Sequence, residues 1–235
     1  MMDLRSYRTQ QPTPGTQDPA GTILGPDQRS WLLNGIEHGT AAWNLLGNSV
    51  MFAPMTVPVL PQQSAGAVAK LLASQPLATT VNTDQWDGYA ADRRIVVDAI
   101  ARQGKSNTVF LTGDIHSTWA INVPTDPANP TSPPVAAEFV TTSVTSDNLD
   151  DLLKVPPRTA SLQVEALFKQ LNPHVQHVEL DSHGASVIEV TPTSVQMDWY
   201  YVGDRRDPAT PVTYAKSYRT VAGDPRVVPG AGPIS

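Results

Sequence analysis

A mixed, layered α/β fold is predicted by three features of the chain. Helix-like and strand-like segments alternate through its first two thirds, short β-rich runs follow one another from residue 175 onward, and no Gly-x-Gly-x-x-Gly, phosphate-loop lysine or Gly-x-Ser-x-Gly elbow occurs. Alternation calls for helices packed on a sheet, and consecutive β runs call for hairpins. Without those three motifs, dinucleotide-binding and serine-hydrolase readings lose their main support.

The first element predicted is a short amphipathic helix over 27–38, with Asp27 near its start, Leu32, Leu33 and Ile36 on one face and Gly39 as its stop. A strand over 43–52 follows, ending at Pro54. The next helix, 91–103, has both ends marked. Asp92 stands in its first turn, Ile95, Val96, Ala99 and Ile100 recur at helical spacing, and Gly104 lies just beyond. It leads into a strand at 107–112, then a second at 119–123 closed by Pro124. Beyond a proline-rich loop, 135–142 reads as a strand and 161–171 as a helix with Ser161 as N-cap. The runs 175–181, 185–191 and 194–202 read as an antiparallel meander, with Val195, Met197, Trp199 and Tyr201 alternating. The five tryptophans, Trp31, Trp43, Trp86, Trp119 and Trp199, read as core.

Composition narrows the chemistry. A chain of 235 residues can bury a full core, as one domain or a large part of one. It contains no cysteine, which excludes disulfides, thiolate catalysis and thiolate-held metals and leaves His and oxygen ligands for any metal. A net charge of -6 with scattered Lys and Arg argues against duplex nucleic-acid binding. No apolar run approaches the roughly 20 residues of a membrane span, and residues 1–8 lack the apolar region of an export signal. The 22 prolines and 15 glycines, concentrated in 10–26, 124–134 and 203–235, predict long irregular connections.

The densest chemistry follows the strand at 107–112. In Thr112-Gly113-Asp114-Ile115-His116-Ser117 a carboxylate and an imidazole stand two residues apart. If the chain stays extended past Gly113, both side chains leave one face and can converge as half of a metal site. The alternative is a turn-forming aspartate beside a satisfied histidine. Loops at the carboxyl ends of strands in layered α/β sheets favour the first reading. A second segment, Asn82-Thr83-Asp84-Gln85-Trp86-Asp87-Gly88-Tyr89, either caps the following helix or walls a polar pocket. The acidic run 147–151 lacks the glycine and terminal glutamate of a calcium loop and reads as a turn or helix cap.

These segments together resemble the PhoD-like alkaline phosphatase family. The resemblance rests on Asp84-Gln85-Trp86-Asp87-Gly88-Tyr89, on 109–119 with its Gly-Asp-Ile-His, and on Glu138-Phe139-Val140-Thr141-Thr142-Ser143, in that order. Asp3-x-Arg5-x-Tyr7-Arg8, the Gln28 and Trp31 segment, Asn172-Pro173-His174 and Asp181-Ser182-His183-Gly184 add to it. It covers residues 1–207, with a Pro/Gly-rich tail at 208–235.

The resemblance implies a calcineurin-like metallophosphatase β-sandwich with flanking helices, hydrolysing phosphomonoesters or phosphodiesters outside the cytoplasm. It implies a binuclear centre of divalent or trivalent ions, Ca²⁺ and/or Fe³⁺, with Asp114 and His116 as ligands. Arg5 and Asp87 become candidate catalytic residues, and Arg8, Tyr89 and Ser117 candidate substrate-binding ones. An arginine beside the phosphoryl group would stabilise its charge, although surface ion pairing is the commoner use of arginine. His174 and His183 read as structural.

The upstream ligand motifs of such enzymes, a Gly-Asp-x-x-Tyr loop and an Asp-Asp-His-Glu type segment, are absent before residue 80. The chain therefore reads as the C-terminal portion of the enzyme, with an incomplete site, because a two-metal centre needs more ligands than one Asp and one His. The rival reading is a non-catalytic remnant or binding module that keeps the fold. Open sheet edges would make the missing N-terminal half or a second copy the expected partner, besides a phosphate ester.

Overall fold

A computed structural model of the chain describes residues 1–13, 20–57, 66–68, 82–104 and 106–234. Residues 14–19 of the predicted irregular stretch 10–26 lie outside that set.

Among the described residues, nine strands form two sheets. The first has the order β1-β2-β4-β3-β5, from β1 (Asn44–Asn48), β2 (Thr108–Thr112), β3 (Thr118–Pro124), β4 (Pro134–Val140) and β5 (Val175–Glu179). In it β1, β2 and β4 run parallel, and β3 pairs antiparallel with β4 and β5. The second sheet is the antiparallel series β6 (Gly184–Val190), β7 (Ser194–Val202), β8 (Val212–Val221) and β9 (Asp224–Pro229). The predicted mixed α/β class is what the chain adopts.

Strand alternation builds the layers. On β2 and β4, Val109, Ala137 and Phe139 join Val195, Met197, Trp199, Tyr218 and Val227 in a core between the sheets. Phe110, Ala136 and Val140 point the other way, into a larger core shared with the helices. Each fully buried large apolar side chain of this kind contributes roughly 1.5–3 kcal/mol. The meander pattern of β7 follows the same rule, with Val195, Met197 and Trp199 buried and Tyr201 reaching Thr118 Oγ1 at 2.7 Å.

Helix α1 (Pro26–His38) buries Leu32 and Ile36. Trp31, expected in the core, is 57% exposed because it sits one residue off that face. Helix α2 (Ala90–Gln103) ends at Gly104, whose φ of 68° is the left-handed cap position that glycine takes at no steric cost. Its Asp92 is buried and does more than mark an end: it accepts the Ile23 and Leu24 amides at 2.9 and 3.2 Å and pairs with Arg29, tying the helix to the 22–29 segment.

Helix α4 (Ala160–Leu171) starts one residue before the predicted N-cap. Ser161 does not cap it. Buried Asp150 does so from the preceding helix α3 (Leu149–Leu153), accepting the Thr159 and Ser161 amides at 2.9 Å each. The acidic run is thus a helix cap as predicted, with Asn148 and Asp151 forming a capping box.

Three further expectations change. The strand predicted over 43–52 is only β1, because past Asn48 the Phe52 and Ala53 amides donate to the Glu138 carboxylate, both at 2.8 Å, and not to a neighbouring strand. The run at 175–181 is not the first strand of the meander; β5 pairs with β3 in the other sheet. Finally, the Pro/Gly-rich stretch after 208 carries β8 and β9, since Val212, Thr213, Tyr214 and the later Tyr218 to Val221 suit a pleated strand whatever flanks them. No described helix is long and apolar enough to cross a membrane.

Candidate functional site

The loop 113–117 joins β2 to β3 at the carboxyl end of β2. It is not extended. Asp114 and His116 both adopt left-handed backbone, φ 74° and 44°, an arrangement that costs energy in non-glycine residues and persists where surroundings enforce it. The enforcing contacts are visible. Ile115 is fully buried between them, and its amide donates to Gly113 O at 3.0 Å. Strand alternation is therefore not what sets the two polar side chains; a tight loop around an apolar anchor does so.

Asp114 keeps 28% of its side-chain surface exposed and lies 3.6 Å from Arg5 Nη2. Burial pushes its pKa up; Arg5 opposes this, the neighbouring Asp84 adds to it, and His116 opposes it further. The His116 Nδ1 is 3.1 Å from the Asp147 carbonyl. A carbonyl only accepts, so Nδ1 carries a proton, and in the neutral form of the ring the lone pair is at Nε2, the form a metal ligand needs.

Arg5 bridges two carboxylates. Its Nη1 donates to Asp84 Oδ1 at 2.6 Å, and Arg8 Nη1 reaches the same oxygen at 3.0 Å and the Asp84 carbonyl at 3.2 Å. Burial would raise the Asp84 pKa, but the Arg5 hydrogen bond and charge, with those of Arg8, hold it below the usual carboxylate range. The Asp84 carboxylate thus orders two guanidiniums, of which Arg5 remains 46% exposed.

The segment carrying Asp84 is fastened from below. The Asp84 amide donates to Asn82 Oδ1 at 3.1 Å, and Trp86 Nε1 donates to Asn48 Oδ1 at 3.0 Å. A 3₁₀ turn over Trp86–Tyr89 follows, so close to the preceding chain that a Cβ on Gly88 would lie 2.3 Å from the Thr83 carbonyl. The Tyr89 hydroxyl donates to Thr9 O at 3.1 Å and Gln11 Nε2 to Thr83 Oγ1 at 3.0 Å, strapping the arginine segment onto this one.

Of the residues singled out from sequence, Arg5, Arg8, Asp114 and His116 share one site, with Tyr89 supporting it. Asp87 does not join them: that turn aims its carboxylate inward, where it pairs with buried Arg93 and accepts the Met55 amide at 3.2 Å. Ser117 is no pocket residue either. It is fully buried, donating to Ile115 O at 2.8 Å and accepting from Trp119 Nε1 at 2.7 Å. The carboxylate that reasoning from sequence missed is Asp84, three residues before Asp87. Nothing in their spacing distinguishes the two.

Among the described residues, no three His, Asp or Glu side chains gather as a set able to hold a metal ion. Asp114 and His116 fit as two donors of a larger set.

A mixed α/β fold with an Asp-x-His loop at the carboxyl end of a parallel strand and two arginines beside it is found in a known family of proteins. The model of the PhoD-like phosphatases matches residues 1–199, and the chain belongs to that family. It is similar to alkaline phosphatase D of Bacillus subtilis (strain 168), at 29% identity over 226 residues, which is 93% of this chain and 34% of that protein. The solved structure of PhoD superposes with a TM-score of 0.77 at 27% identity, over 99% of this chain and 41% of that one. The chain thus spans between a third and a half of the length of these relatives.

Proposed function

We propose that this chain supplies one wall of a metal-dependent phosphate-ester hydrolase site, as a calcineurin-like sandwich with phosphomonoesters or phosphodiesters as substrate. The observation that carries the reading is Arg5, held by Asp84 at 2.6 Å and standing 3.6 Å from Asp114 beside His116. A half-exposed guanidinium next to two metal donors suits a phosphoryl oxygen.

In this reading Asp114 and His116 Nε2 hold metal, with Ca²⁺ and Fe³⁺ the ions the family suggests. Bound metal would supply charge at the phosphoryl oxygens and an acidified water. Arg5 and Arg8 bind and orient the phosphoryl group, and Asp84 fixes their planes, since arginine forks recognise phosphate by geometry as well as charge. Further ligands belong to the remaining length of the PhoD-like enzyme. The lack of a third donor among the described residues favours weak binding and little turnover by the chain alone. Action outside the cytoplasm belongs to the same reading.

Calorimetric titration with Mn²⁺ tests the proposal. The wild-type chain should bind weakly, and Asp114→Asn should lower affinity by about tenfold or more, while hydrolysis of p-nitrophenyl phosphate stays slow in both. Equal Mn²⁺ affinity in the two proteins would remove Asp114 from the metal site. Robust turnover abolished by Asp114→Asn would show that the chain needs no further ligands.

A further inference from the structure

We propose that Arg205 is a positioning residue for His116, acting through the loop whose Asp147 carbonyl fixes the imidazole. The inference rests on the reading of His116 as a metal donor. Arg205 lies in the connection between β7 and β8, outside residues 1–199 matched by the family model.

Four groups converge on its guanidinium. Nη2 donates to Asp147 Oδ1 at 2.6 Å and Nη1 to the Thr145 carbonyl at 2.8 Å, while Asp151 Oδ2 and His183 Nε2 lie 3.3 and 2.6 Å from Nη1. His183 Nε2 also stands 3.0 Å from the Ser146 carbonyl, a second tie to the same loop, and burial followed by the charge of Arg205 pushes the His183 pKa down.

The loop needs such a clamp. Residues 144–147 are exposed and belong to no helix or strand, yet the Asp147 carbonyl must stand 3.1 Å from His116 Nδ1 to hold the tautomer. Arg205 grips this loop at Thr145 and at Asp147, on either side of Ser146, from a side chain only 22% exposed. Its neighbour Arg206 pairs with Asp204 and is 86% exposed. Only a planar, many-donor group serves these acceptors at once; a lysine ammonium would reach one or two.

Two readouts on the full chain test this: the His116 tautomer from long-range ¹H–¹⁵N NMR at about pH 8, where an unperturbed histidine is neutral, and Mn²⁺ affinity. Wild type should show a protonated Nδ1. Arg205→Ala should mix the tautomers and weaken Mn²⁺ binding by about tenfold, the usual scale for groups that orient a ligand. Arg205→Lys, which keeps the side-chain stem and the charge, should not restore either readout, and Arg206→Ala should leave both unchanged. A mixed tautomer in Arg205→Lys alone suffices as support if Arg205→Ala does not fold. An unchanged His116 tautomer in a folded Arg205 variant would overturn the proposal. A tautomer change in a chain that binds no Mn²⁺ would support the positioning role and count against the metal reading.

Discussion

Glu138 is the buried group on which the floor of the site depends, and replacing it has a magnitude that can be worked out. Its carboxylate, fully buried on β4, accepts the Phe52 and Ala53 amides at 2.8 Å each and the Thr112 hydroxyl at 2.7 Å, with Asn48 Nδ2 at 3.5 Å. Burial raises its pKa against the pull of these donors. In Glu138→Leu, Asn48 and Thr112 keep each other at 2.9 Å, but two buried backbone N–H groups lose their acceptors. Each such loss costs roughly 1–3 kcal/mol, so the pair costs about 2–6 kcal/mol, offset by about 1–2 kcal/mol for burying hydrocarbon where a carboxylate stood.

A net loss of about 3 kcal/mol is expected for Glu138→Leu. Glu138→Gln keeps one acceptor oxygen and turns an NH₂ toward the other donors, for a loss of roughly 1–3 kcal/mol. Urea unfolding followed by circular dichroism measures both, and at a slope near 2 kcal/mol per molar the leucine variant should unfold roughly 1.5 M earlier. Because Asn48 also accepts from Trp86 Nε1, the segment bearing Asp84 should loosen as well. A leucine variant as stable as wild type would show that Phe52 and Ala53 do not depend on this carboxylate.

Two other outcomes follow from the same structure. Burial, with Lys216, Lys169 and Arg158, depresses His177 from 6.5 to about 3, so the folded state holds fewer protons than the unfolded one as pH falls below 6.5. Stability should therefore be highest above that pH and decline by up to about 1.4 kcal/mol per unit on acidification toward 3; His177→Phe should flatten the urea midpoint's pH slope, and an unchanged slope would reject the assignment. Exposed apolar surface next to the edge strand β1, with Trp31 at 57% and Leu45 at 39% exposure, favours association of the isolated chain. Sedimentation should find a species larger than the monomer that Trp31→Glu shifts toward monomer, whereas a monomeric wild type would contradict it.

Much of the frame was legible in the residues themselves. Helices α1 and α2 and the strand ending at Thr112 were readable because periodicity, caps and strand ends are local properties, set by side chains a few positions apart. The partition of strands was not legible, since β5 and β6 look alike along the chain and only their packing partners assign them to different sheets. Prolines and glycines around 212–229 concealed two strands for the same reason: propensity is weak where long-range pairing decides.

At the site the division is sharper. Residue type and spacing marked the candidates, an aspartate and a histidine after a strand, with arginines near the start. Which carboxylate of the 84–89 segment faces those arginines was decided by a 3₁₀ turn that buries Asp87 against Arg93 and leaves Asp84 to Arg5, 79 positions away. Likewise Ser117 turns inward because Trp119 needs an acceptor, and Arg205 reaches a loop 58 positions earlier in the chain. In irregular segments no period dictates where a side chain points. Its direction is settled by whichever distant donors, acceptors and apolar surfaces the folded chain brings beside it, and only the tertiary structure contains those.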